Sequence, residues 1–274
     1  MPAQANTSEV CFVIPPALRD AVKMFWQMDR TGLMHGHETI VPKGVVEIIF
    51  NLSAETIVRY RNGAGPLTVP RVFLNGFNTA PFRIALPAHQ RFLGIVLHPT
   101  AVKRIFGFPA RECADRIIDL SLVDRTMNTL WHEVIERPTF AERRALLVEW
   151  MVARHAQSTA RECAMDRFLG DHAGPVPSVV QLADRLCWST RQLTRRMEEL
   201  TAMNTERTLH YMKHVGALHL IHLSPMPLTA IAYASGFADQ AHFNRSFKAF
   251  TGFTPTAYRQ AMIPLVGHLM ENVR

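Results

Sequence analysis

Two groups of residues in the C-terminal part of the chain have the types and spacing to hydrogen-bond nucleic acid. Phe243, Phe247 and Phe250 fall at i, i+4 and i+7, so they share one helix face and are expected to be buried. The opposite face then carries Ala241, Arg245 and Lys248, with Asn244 at its margin. Fifty residues earlier Leu193, Met197 and Leu200 repeat the inward spacing and turn Thr190, Arg191, Thr194 and Arg195 outward. Arginine can bridge O6 and N7 of guanine, asparagine can do the same for adenine, and lysine anchors a phosphate, so such surfaces suit a major groove. Arg196 and His242 fall at the sides of their helices, where they either approach the nucleic-acid backbone or serve as packing flank.

Further candidates lie near the N-terminus. In the run 45–52, alternation places Val46, Ile48, Phe50 and Leu52 on one side and Val45, Glu47, Ile49 and Asn51 on the other. If the second face lines a barrel, Glu47 and Asn51 hold the polar groups of a small ligand while the aliphatic residues pack its body; the alternative is a solvated sheet face. His35-Gly36-His37 with Glu47 raises a metal-dependent enzyme as the competing reading, with His89 or His98 supplying a further ligand, against a plain exposed loop. His210 and His214, one helical turn apart, have no nearby cysteine or acid and read as a solvated face. No G-x-S-x-G elbow or G-x-x-x-x-G-K-[ST] loop occurs, and Gly63-Ala64-Gly65 runs directly into proline. The expectation is no enzyme activity, no cofactor and no metal.

The elements that must position the C-terminal residues are two helix pairs. Leu228, Ile231 and Ala232 have helical spacing, Gly236 suits the left-handed end of that helix, and Asp239 can cap the next. Upstream, Ser178 caps a helix with Val179, Leu182, Ala183 and Leu186 inward, Cys187-Trp188 is the turn, and Ser189 caps its successor. The offset of 50 also matches Arg195 with Arg245, Arg191 with Ala241, Glu198 with Lys248, and Thr201-Ala202 with Thr251-Gly252; only the turn differs in length. Residues 208–223 read as a linking helix stopped by Pro225 and Pro227, a spacer for recognition helices that must stand about 34 Å apart to enter successive major grooves.

Gly236-Phe237, Asp239, His242-Phe243, Arg245, Phe247-Lys248, Gly252, Pro255 and Tyr258-Arg259 together resemble the C-terminal signature of the AraC/XylS family of bacterial transcriptional regulators. The resemblance implies promoter DNA as partner, two helix-turn-helix units at about 178–200 and 228–250, and activation through RNA polymerase. It also implies an N-terminal β-rich sensing domain like a cupin barrel, a small-molecule effector and a homodimer. HETIVPKGVVEIIFNL and FLGIVLHPTAVKRIFGFPA resemble the sensor half of some members. Cys187 stands where the first turn usually has glycine, Met197 where an aromatic is usual, and Ala202 where the second unit has Gly252.

The expected fold is therefore α+β: a sensing and dimerisation domain over 1–157 with flanking helices, an all-α DNA-binding domain over 158–260, and a tail over 261–274 without functional signal. Strands are expected over 38–41, 45–52, 55–60, 72–77, 82–86 and 92–97, with turns at 61–66 and 77–81. Residues 12–28 should begin extended and end in a short helix. Helices over 124–156, split at Arg137-Pro138, carry apolar stripes (Trp131, Val134 and Ile135; Leu146, Leu147, Trp150 and Met151) that bury in the chain's own core or against a second copy. The 274 residues suffice for two cores, and a hydrophobic content of 48% with 19% charged is ordinary for a globular protein. The charge of +7 permits a polyanionic partner without locating it, since residues 158–260 hold 11 Lys and Arg against 8 Asp and Glu. Four scattered cysteines read as reduced thiols, and the absence of a long apolar run or a signal at residues 1–10 predicts no membrane contact and a cytoplasmic protein.

Overall fold

The computed structural model describes residues 7–31, 36–61, 64–171 and 176–271. Its first half is built from strands β1 (Thr7–Cys11), β2 (Val22–Thr31), β3 (Gly36–Ile40), β4 (Val46–Asn51), β5 (Val58–Arg61), β6 (Ala64–Thr68), β7 (Val72–Asn75), β8 (Phe82–Leu86), β9 (His89–Leu97) and β10 (Ile117–Asp119). One sheet runs β1-β2-β9-β4-β7-β10, and a second runs β3-β8-β5-β6 with β11 (His268–Glu271) on its outer edge beside β3. All pairs are antiparallel. The strand expected at 55–60 is the shorter β5, and a further strand, β6, occupies the expected turn at 61–66.

Every residue of β4 is buried because both faces of its sheet are covered. Val46, Ile48 and Phe50 enter the main core with Leu52, whereas Ile49 joins a separate cluster with Met28, Ile57, Phe73 and Phe92 on the barrel side. Residues 12–28 depart from expectation: a single 3-10 turn, Pro16–Leu18, leads into the ten-residue strand β2. Cross-strand pairing with β9 overrides any local helical tendency, and Trp26 stands opposite Gly94. A Cβ at Gly94 would come within 2.2 Å of the indole, so only glycine lets Trp26 lie flat across that strand.

Helices Thr126–Glu136 and Phe140–Val152 follow, the second opened by a capping box between Thr139 and Glu142. Their stripes are core: Val134, Leu147 and Met151 are fully buried, and Trp131 and Trp150 nearly so. Helices Ala160–Gly170, Val179–Arg185, Thr190–Thr201, Thr205–Leu223, Leu228–Ala234, Gln240–Thr251 and Pro255–Ala261 complete the second half. Residues 158–260 form only helices among those described, as expected, and the tail beyond them returns as β11.

The two halves share one continuous hydrophobic cluster from Leu18 through Leu169 to Leu193, Met212 and Phe250. At the join Thr100 donates through its backbone N–H (3.2 Å) and its hydroxyl to buried Asp166. The segment at the expected boundary is pinned by Asp20, which accepts from His155 and from the Ser158 N–H, both at 2.6 Å. Among the described residues no helix is long and apolar enough to cross a membrane.

Candidate nucleic-acid interface

The two helix pairs are built alike down to individual hydrogen bonds. Ser189 and Asp239 each accept from a backbone N–H in the first turn of the following helix, that of Gln192 and His242 respectively. At the turn preceding each cap, Trp188 N–H reaches the Ala183 carbonyl and Phe237 N–H reaches the Ala232 carbonyl, both at 3.0 Å. At the far ends Thr201 and Thr251 donate to the carbonyls of Met197 and Phe247 at 2.8 Å. Each also accepts from the N–H two residues on. The difference in turn length is one residue, Ala238, between Phe237 and the capping Asp239.

Leu193 and Met197, and likewise Phe243 and Phe247, are wholly buried. Their burial, worth roughly 1.5–3 kcal/mol for each large side chain, fixes which residues face out. Thr190, Arg191, Arg195, Ala241, Arg245 and Lys248 are exposed, while Thr194 and Asn244 are half-buried. Thr194 is drawn inward, its hydroxyl 3.0 Å from that of Thr205. Gln192, which sequence reasoning left out, joins Thr190, Arg191, Thr194, Arg195 and Glu198 along one open groove. The side chain of Arg195 is 73% exposed and only loosely paired with Glu199 at 3.6 Å, which leaves its guanidinium available to a ligand.

The flanking residues go elsewhere. Arg196 pairs with Glu199 at 2.7 Å and lines a cleft toward Pro99, Lys103 and Glu162 in the first half. His242 stacks on His210 with ring centroids 5.8 Å apart and meets the edge of Phe237. His242 is half-buried in these ring contacts, whereas Arg196 remains exposed beside its partner Glu199.

His210 and His214 are not a solvated face. His214 is fully buried and donates to the Pro42 carbonyl at 3.1 Å, and His210 lies 2.8 Å from the Ser246 hydroxyl. Helical spacing placed them on one side of the linking helix but did not reveal that the first half and the last helix pair cover it. Burial pushes the His214 imidazole down to about 4, so it is neutral.

In the barrel, Glu47 faces the interior cavity and Asn51 does not. The Asn51 side chain accepts from Ser53 N–H at 3.1 Å, and its carbonyl accepts from Trp131 Nε1 at 2.8 Å, which makes it a structural tie at the strand end. Sequence reasoning missed Glu38, Lys43 and His268, which gather around Glu47. His268 Nδ1 donates to Glu38 at 2.8 Å, and Lys43 Nζ reaches His268 Nε2 at 3.2 Å and Glu47 at 3.7 Å. Because Nε2 accepts from an ammonium, His268 is neutral with its proton on Nδ1. Its burial, together with Lys43, lowers its pKa in the same sense. Burial would raise the Glu38 carboxyl, but the hydrogen bond from His268 and the nearby cations hold it below its ordinary value. His35 lies outside the described residues; His37 meets the edge of the Tyr60 ring at 5.6 Å. Among the described residues no group of three His, Cys, Asp or Glu is placed to hold a metal ion.

Residues 182–261 match the family described as a helix-turn-helix domain, and residues 13–119 match one described as a domain of unknown function. The HTH-type transcriptional activator RhaS of Escherichia fergusonii is 32% identical over 130 residues, 44% of this chain and 47% of the relative. RhaS of Citrobacter koseri is 28% identical over 134 residues, 46% and 48%. Over this C-terminal stretch the chain is similar to helix-turn-helix activators of the AraC/XylS type. The chain spans about half the length of the curated relatives it matches. ToxT of Vibrio cholerae, solved with an unsaturated fatty acid bound, shares the fold of this chain at a TM-score of 0.50 and 11% identity, with 97% and 99% of the two chains covered.

Proposed function

We propose that the chain is a promoter-binding transcriptional regulator, an activator that responds to a small-molecule effector. The carrying observation is the pair of exposed polar ridges, Thr190, Arg191 and Arg195 on one helix and Ala241, Arg245 and Lys248 on the other, held by two helix pairs that match at cap, turn and C-terminus. Arg191, Arg195 and Arg245 read base edges, with Asn244 and Thr194 at the margins of their ridges. Lys248 holds phosphate. A division at about residue 157 into sensing and DNA-binding parts belongs to this reading, as do contact with RNA polymerase, a cytoplasmic location and the absence of enzyme activity.

The activator role of RhaS supports the sign of regulation, and the fatty acid held by ToxT supports an effector of substantial apolar character. The homodimer rests on the family resemblance alone, since the helical stripes at Trp131 and Trp150 are used in the chain's own core. Footprinting on DNA upstream of the chain's own and neighbouring genes tests the reading. Protection over roughly two helical turns per protomer, weakening steeply with salt, is expected. Binding that ignores both salt and sequence would refute it.

A further inference from the structure

The tail ties the second helix-turn-helix unit to the barrel. The Tyr258 hydroxyl accepts from Gly267 N–H at 3.0 Å and donates to His222 Nε2 at 2.6 Å, which fixes the turn after the last helix. Strand β11 then pairs with β3, His268 opposite Ile40 and Leu269 opposite Thr39. Neighbours along a strand point to opposite faces. His268 accordingly lines the barrel cavity, whereas Leu269, 2% exposed, lies in the cluster of Ile231, Phe243 and Phe247 that forms the core of the second unit. One short strand has a face in each.

The cavity holds about 160 Å³. An apolar cavity of roughly 150 Å³ admits a benzene-sized molecule. Trp26, Ile49, Phe73, Phe82 and Ile84 supply apolar walls. At the polar end the carboxylates of Glu38 and Glu47 are matched by Lys43 and by Arg30, which lies 3.8 Å from Glu38. With His268 neutral that end carries no net charge, so an ionised ligand would bury a charge without a partner. Lys43 and the Asn75 amide also line the cavity and are the polar groups placed to meet a ligand oxygen, whereas Trp26 Nε1 is buried against the strand that carries Gly94.

We infer that the cavity takes an uncharged, single-ring aromatic molecule bearing one oxygen, of the phenol class, and that β11 carries its occupancy into the second helix-turn-helix unit. This rests on the regulator reading above and adds the ligand class and the route. Binding that orders His268 orders the strand, and the strand sets how firmly Leu269 holds the core beneath the recognition helix. Coupling of this kind is reciprocal: DNA raises or lowers phenol affinity by the factor that phenol applies to DNA.

The test uses the full chain, a DNA fragment defined by footprinting, and phenol, benzoate and benzylamine as probes. Calorimetry is expected to show phenol binding, with benzoate and benzylamine at least about tenfold weaker, as the neutral polar end requires. Ile49→Trp, which fills the cavity, should abolish phenol binding and keep salt-dependent DNA binding. Phenol should change DNA affinity by about fivefold or more in the wild type. Leu269→Ala should reduce that change to below about twofold while phenol still binds. In the wild type, phenol should also slow amide hydrogen exchange in both 268–271 and 240–251.

Failure of all three probes to bind, or phenol binding that survives Ile49→Trp, overturns the ligand class. An undiminished phenol effect in Leu269→Ala overturns the route, as does exchange in 240–251 that ignores phenol, a readout that needs no variant to fold. If the chain bound DNA neither with nor without phenol, the regulator reading would fall instead, and the exchange experiment would still decide whether the strand transmits.

Discussion

The hydroxyl of Tyr211, in the middle of the linking helix, donates to the backbone carbonyl of Asn78 in the barrel at 2.9 Å. It also accepts from Gly44 N–H at 3.0 Å, and the ring is fully buried. The spacer between the two helix-turn-helix units is thereby fastened to the barrel by a side chain that satisfies two buried backbone groups at once.

Tyr211→Phe keeps the ring and leaves both backbone groups without a partner. Stability should fall by about 1–3 kcal/mol, measured by urea denaturation of the full chain. A loss within error would mean that water replaces the hydroxyl.

Cys187 and Ala202 adopt φ of 52° and 59°, the left-handed conformation that Gly236 and Gly252 take at the equivalent points of the second unit. A side chain there costs about 1–2 kcal/mol. Cys187→Gly and Ala202→Gly are each expected to stabilise the chain by about 1 kcal/mol, less any gain in unfolded-state entropy. Thermal denaturation should show a higher Tm for each.

Substitutions on the outward ridges should separate base readers from phosphate anchors. Arg245→Ala is expected to cost about 1–3 kcal/mol in DNA affinity and relax specificity at one base position. Lys248→Ala should weaken all sequences alike and lower the salt slope by about 1. Arg196→Ala, in the cleft beside Glu199, should leave affinity nearly unchanged. Fluorescence anisotropy over a salt series on native and shuffled sites measures all three.

Two histidines make the fold sensitive to acid. Burial depresses His214 to about 4, and burial with the nearby Lys23 and Arg104 depresses His98 to about 4. The unfolded chain therefore binds more protons than the folded one between about 6.5 and 4. Their contribution is complete above pH 6.5 and is lost as pH falls toward 4. Asp166 has the opposite sign: burial raises it to about 6, so the stability it gives is present below its unfolded pKa and lost as pH rises through 6. Denaturation between pH 7.5 and 4.5 should show a net loss on acidification, because burial also lowers His210, His219, His222 and His268, so the groups that lose stability in acid outnumber Asp166. Asp166→Asn should steepen that loss by removing the opposing contribution.

The amino-acid order alone specified the helix-turn-helix pairs, because they are local. Caps such as Ser189 and Asp239, the left-handed Gly236 and the i, i+4, i+7 phenylalanines act within a dozen residues and are legible without a partner. The same holds for alternation in β4, which separated Glu47 and Ile49 from Val46 and Ile48. Family resemblance then supplied the expectation of a sensing barrel and of a promoter, neither of which the residue pattern could name.

Tertiary structure decided what depends on contacts far apart in the chain. Helical spacing did not show that His214 would be covered by Pro42, 172 residues away, or that pairing with β9 would make a strand of residues 22–31. Alternation turned both Glu47 and Asn51 toward the barrel side, but the end of a strand lies beyond the cavity, and Asn51 closes a turn there. The tail had no recognisable signal because four residues become a strand only when an edge is offered. β3 offers it, His268 and Leu269 acquire opposite roles from the pleat of that pairing, and His268 meets the Glu38 side chain 230 positions away.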